Sequence, residues 1–158
     1  MACIGDGPGL LGIGLLLLLT WRCPSLDVRL DSYGASNRWR QLADAVPLAG
    51  LRSYVTASLP SLLHSEDRLK AYRIVVLNRV LSDVLPDEAP NGWALFWRDL
   101  HAATGDRVVV VVRDNRETFL PPGYVQQWSW ECATIPGEGH EPAFVLWKRS
   151  RQDGGGDL

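Results

Sequence analysis

Ala2-Cys3-Ile4-Gly5-Asp6-Gly7-Pro8-Gly9 opens the chain and runs straight into an apolar stretch, Leu10 to Trp21. Three apolar residues, a Gly-rich turn and a Leu-rich segment spell strand, tight loop and helix. Such a unit sets backbone N–H groups and a helix N-terminus at the end of a parallel sheet, where α/β folds hold nucleotide-like ligands. The same residues have a second reading. Leu10-Leu11-Gly12-Ile13-Gly14 and the leucines to Leu19 also have the make-up of a secretory signal core. The fold depends on which reading holds.

The flanks favour the helix. The run is shorter than the ~20 apolar residues that span a bilayer. Asp6 is the sole charge before it and has the wrong sign for a signal, and Trp21-Arg22-Cys23-Pro24 is a poor cleavage site. A helix buried against a sheet suits the residues better. Leucine supplies propensity, Gly12 and Gly14 permit close approach to a strand, and Pro24 stops the helix. On the competing reading, the first 23 residues are a signal on a small secreted or membrane-anchored protein.

Composition fits an ordinary globular domain. At 158 residues the chain is about one domain, and 46% hydrophobic with 22% charged residues is enough for a core. A net charge of −2 gives no general attraction for polyanions. Cys3, Cys23 and Cys132 are an odd number at wide spacing, and His64, His101 and His140 are scattered. Neither a disulfide framework nor a metal site is expected. Reduced thiols point to an intracellular protein.

Strand and helix signals alternate onward. Strands are expected over 27–33, 52–57 and 72–77, with helices over 38–46 and 93–103, a part-helical stretch over 62–71 and a loop over 86–92. Tyr72-Arg73-Ile74-Val75-Val76-Leu77 is the continuous apolar kind that a parallel sheet buries on both faces. Five consecutive valines, Val108 to Val112, make 107–112 the strongest strand. Residues 125–134 and 142–148 then read as an antiparallel hairpin around a Gly-rich loop. Gly154-Gly155-Gly156 marks 150–158 as a disordered tail after a domain over 1–149. The fold class expected is α/β, a Rossmann-like three-layer sandwich with a mostly parallel seven-stranded sheet and a C-terminal antiparallel hairpin.

With these elements in order, the chain resembles a class I S-adenosylmethionine-dependent methyltransferase. Three segments carry the resemblance: Ile4 to Gly9 as the first motif, Tyr72–Leu77 running into Asn78-Arg79-Val80-Leu81-Ser82-Asp83, and the helix over 93–103 leading into Gly105-Asp106-Arg107-Val108. The glycine spacing is GxGxG, not the GxGxxG of nicotinamide sites. The resemblance spans nearly the whole chain but begins at the first strand, without the segment that usually precedes it. No Asn/Asp-Pro-Pro-Tyr/Phe motif follows the fourth strand, and there is no Pro-Cys nucleophile.

The resemblance implies S-adenosyl-L-methionine as cofactor, bound by Gly5, Asp6, Gly7, Pro8 and Gly9 at its amino-acid end. Asp31 would hold the ribose hydroxyls, Ser58 would lie near the adenine, and Asn78 would stand at the end of the fourth strand. Arg79, Asp83, Asp114 and Arg116 become acceptor-side candidates. Each has a plainer alternative: Asp6 as a helix cap, Asp31 as a solvated strand-end acid, Asp114 to Arg116 as a polar turn. The acceptor is open among RNA, small molecules and proteins, with a lean to RNA by analogy. No metal and no membrane partner is implied. The rival to an enzyme is a non-catalytic, methyltransferase-like partner protein.

Overall fold

The computed structural model describes residues 1–5, 10–34, 41, 45, 50–55, 62–64, 68–81, 90–114, 130–135 and 143–148. Strands β1 (Ala2–Ile4), β2 (Leu30–Gly34), β3 (Leu51–Val55), β4 (Ile74–Asn78) and β5 (Val109–Arg113) pair in parallel. β6 (Trp130–Ile135) and β7 (Ala143–Lys148) form the antiparallel hairpin. The described strands lie in one sheet in the order β3-β2-β1-β4-β5-β7-β6. Helix α1 (Leu10–Arg22) follows β1, a 3₁₀ turn (Arg68–Ala71) precedes β4, and helix α2 (Pro90–Ala103) precedes β5.

Both faces of the parallel part are covered, which explains why its central strands β1, β4 and β5 are apolar at nearly every position. Side chains alternate across the sheet. Ala2, Ile4, Val75, Leu77, Val110 and Val112 share one core with Phe96, Trp97 and Leu100 of α2. Cys3, Leu30 and Val76 share the other with Leu16 of α1. Each fully buried Leu or Trp in these layers contributes roughly 1.5–3 kcal/mol.

Two expectations need correcting. Helix α2 starts at Pro90, inside the stretch expected as loop. Proline has no N–H to lose in a first turn, so it opens a helix as readily as it breaks one. β2 begins at Leu30, not Asp27, because its pairing starts at Leu30↔Leu51 with β3 and Ala2↔Asp31 with β1. Asp27 instead forms an exposed ion pair with Arg29 at 2.9 Å, which stabilises little.

Helix α1 is buried on one side only. Leu16 faces the sheet, while Leu17, Leu18 and Trp21 are exposed, Trp21 at 71%. The Arg22 guanidinium lies 4.5 Å from the centre of the Trp21 ring and covers part of it. The leucine run thus exceeds what one sheet face can take up. No described helix is long and apolar enough to cross a membrane.

The helix expected over 38–46 falls mostly outside the described residues. A backbone bond from Ala45 N to Gln41 O at 3.2 Å has the i→i−4 spacing of a helical turn. The tail over 150–158 and the start of the expected strand over 125–134 also lie outside them.

Candidate functional site

β1 has β2 on one side and β4 on the other, so the chain order reverses beside it. This is the switch point of the sheet, and crevices for ligands open there at the carboxyl ends of the strands. Gly5 is the first residue past β1. Its φ is +75°, and its N–H donates to Tyr33 O at 3.0 Å. A Cβ placed there would lie 2.1 Å from Val80 Cγ1 and 2.4 Å from Asn78 O. Only glycine satisfies both the backbone angle and the space. The turn out of β1 is thus pressed against the bend that leaves β4.

That bend is held from β5. Arg79 has a φ of +54°, an uncommon angle for a residue with a side chain. Its N–H donates to Arg113 O at 2.7 Å. Two residues on, Leu81 N–H donates to Asp114 Oδ2 at 3.0 Å. Asp114 is wholly buried, with 0% exposure. Longer contacts of 3.5 Å run from Arg113 Nη1 to Asn78 Oδ1 and from Asn78 Nδ2 to Gly5 O. Gly5, Asn78, Arg79, Arg113 and Asp114 therefore meet along the carboxyl ends of β1, β4 and β5.

Arg113 is absent from the sequence expectations, which pass from the valine run directly to Asp114. The signal for it was the parallel register. Arg113 pairs with Asn78, so whatever marks the end of β4 marks Arg113 as well.

Asp31 is placed elsewhere. It pairs with Ala2 at the amino end of β2, three positions before Gly34. At about 3.3 Å per residue that is roughly 10 Å from the carboxyl edge. Its carboxylate accepts the Tyr72 hydroxyl. Tyr72 and Tyr33 hydroxyls lie 2.8 Å apart. Since the single Tyr72 proton goes to Asp31, Tyr33 is the donor to Tyr72. The two rings meet edge to face with centroids 6.5 Å apart. Burial first, and then the bond to Asp31, raise the Tyr72 pKa above the ordinary tyrosine value. Asp31, Tyr72 and Tyr33 are thus linked by a chain of side-chain hydrogen bonds.

Asp6, Gly7, Pro8, Gly9, Ser58, Asp83 and Arg116 lie outside the described residues. Among the described residues no cluster of His, Cys, Asp or Glu could hold a metal ion.

No sequence-family model matches the chain, and no curated protein does. Solved structures match its fold. The DhpI–SAH complex superposes with a TM-score of 0.59 at 14% identity, over 95% of this chain and 76% of that one. Human methyltransferase-like protein 13 in complex with SAH gives 0.62 at 11% identity, over 96% and 72%. A pericyclic reaction enzyme gives 0.61 at 16% identity, over 94% of this chain and 42% of that one. At such identities the likeness is one of fold: an α/β sheet of the Rossmann-like kind found in S-adenosylmethionine-dependent methyltransferases. The third structure shows that this fold carries other chemistry too.

Proposed function

We propose that this chain binds S-adenosyl-L-methionine at the switch point and transfers its methyl group to an acceptor. One observation carries the reading. The strand order, with β7 reversed between β5 and β6, puts the Gly5 turn beside the end of β4 at the place where such sheets take ligands. The solved structures of this fold with SAH bound support it.

The residues present fit one end of the cofactor better than the other. The Gly5 turn leads into Asp6-Gly7-Pro8-Gly9, whose backbone N–H groups suit a carboxylate or phosphate, and the Asn78 carboxamide supplies a donor and an acceptor nearby. For the ribose the fit fails at Asp31, and no Asp or Glu occurs between Ser32 and Ala43 to replace it. The cofactor supplies an electrophilic methyl group. The chain's work is to bind it, align it with the acceptor and exclude water, so no acidic or basic catalyst is obligatory.

On this reading residues 1–149 form an intracellular methyltransferase-like domain, a three-layer sandwich around a seven-stranded sheet. Residues 150–158 follow as a tail. Arg79, Asp83 and Arg116 would face the acceptor, with RNA the first to be tried. Calorimetric titration with S-adenosylmethionine and S-adenosylhomocysteine is the test. Saturable binding supports the reading, and no heat at millimolar ligand ends it.

The missing ribose carboxylate favours a second reading, a methyltransferase-like partner protein that does not catalyse. Transfer of labelled methyl groups to RNA, small molecules or protein separates the two. Binding without transfer to any acceptor favours the partner.

A further inference from the structure

We propose that Asp114 is a positioning residue, which sets the cofactor site by clamping the bend after β4 rather than by touching acceptor or cofactor. The ligand-facing half of this inference rests on the function proposed above.

The bend is strained and held at both ends. Arg79 occupies a left-handed angle of +54°, which is unfavourable for a residue that carries a side chain. Such an angle persists only where the surroundings over-determine it. Here the surroundings are β5 and the residue after it. Arg113 O takes the N–H of Arg79 at 2.7 Å, and Asp114 Oδ2 takes that of Leu81 at 3.0 Å. The first bond is main chain to main chain and does not depend on the side chain at 113. The second depends on one side chain. Asp114 has no exposed surface with which to meet a ligand. A buried carboxylate accepting a backbone N–H makes a charge-assisted bond, stronger than a neutral one.

Whatever holds the bend also holds Gly5. Val80, between the two clamped amides, is the side chain that Gly5 must avoid, and Asn78 O is the backbone atom that it must avoid. The Asn78 carboxamide reaches Gly5 O at 3.5 Å. If the bend relaxes, the wall against which the Gly5 turn rests moves, and with it the start of the glycine loop. Asp114 thus acts on the ligand site through Leu81, Val80 and Gly5, at second hand.

The test pairs two substitutions. Asp114→Ala removes the acceptor, and Asp114→Asn keeps one of nearly the same shape. Each is titrated with S-adenosylhomocysteine well below its unfolding midpoint, and hydrogen exchange is followed at the amides of residues 79–81. The expected result for Asp114→Ala is faster exchange at Leu81 and roughly tenfold weaker binding, the scale of one lost charge-assisted bond. Asp114→Asn restores both to within about threefold of wild type.

Wild-type affinity in folded Asp114→Ala overturns the proposal, since the residue is then merely part of the core. Equal loss of binding in Asp114→Asn with unchanged exchange at Leu81 also overturns it, because the carboxylate charge is then sensed directly. If Asp114→Ala does not fold, the Asn variant decides alone: retained protection and binding support the clamp. A wild type that binds no ligand overturns the functional reading and the ligand-facing half of this one together. A wild type that binds beside an unaffected Asp114→Ala overturns only the clamp.

Discussion

The two ends of the sheet carry polar networks of opposite character. Towards the amino end, Asp31 and Tyr72 are joined by hydrogen bonds, and the Tyr33 hydroxyl reaches them from further along β2, so that each hydroxyl has its partner. At the carboxyl end, Gly5 and Arg79 both sit at positive φ, two turns press on each other, and a buried carboxylate holds one of them. Strain of this kind persists only where the surrounding structure over-determines it. The contrast also shows that an acid's place along a strand decides its role: Asp31 and Asp114 are each tied to β4 or its flanks, at opposite ends.

The comparison breaks most visibly at Gly5. Gly5→Ala adds a Cβ where there is no room and demands a left-handed alanine, so unfolding free energy should fall by about 3 kcal/mol. Denaturant titration measures it, and a change below about 1 kcal/mol would mean that the two turns do not press on each other.

Next comes Asp31→Ala. It leaves the Tyr72 hydroxyl without its acceptor and should cost about 1–2 kcal/mol. Affinity for S-adenosylhomocysteine should stay within about twofold of wild type, since the amino end lies away from the switch point. A tenfold loss would restore Asp31 as a ligand of the cofactor and end the division between the two edges.

The third prediction concerns alkaline pH. Tyr72 ionises less readily in the folded chain than in the unfolded one. Its contribution is therefore complete below the unfolded tyrosine pKa of about 10, and stability falls as pH rises above that value, where only the unfolded chain releases the proton. Tyr72→Phe should flatten this alkaline fall in a urea-midpoint series. An unchanged slope would remove Tyr72 from the account.

The smallest effect should come from Gly14→Ala. A Cβ at this exposed helical position meets nothing within 4 Å, so the substitution should add about 0.5–1 kcal/mol. A lower melting temperature instead would show that something packs against that side of α1.

Much of the architecture was legible because parallel strands announce themselves. The valines of β5, the apolar run of β4 and the glycine turn after Ile4 each have few alternatives, and their order implied the sheet. The site was less legible, for reasons of register and distance. Alternation in Asp27-Val28-Arg29-Leu30-Asp31 is equally good wherever the strand starts. Nothing local says that pairing with β1 begins at Asp31 and so strands its carboxylate at the wrong end. Asp114 looked like a turn residue because its partner, Leu81, is 33 positions away. Arg113 was hidden by the valines before it, and Pro90 by its reputation as a breaker.

The crossing of the hairpin has a consequence for how the molecule is made. β7 lies between β5 and β6, though it is synthesised after both. When β6 leaves the ribosome, the neighbour it needs does not yet exist, and β5 waits with an open flank. The stretch from Arg113 to Lys148 takes some seconds to appear at roughly 5–20 residues per second. Through that interval the nascent protein offers a bare, valine-rich border to any passing strand. The last segment to arrive is thus the one that joins β6 to the rest of the sheet.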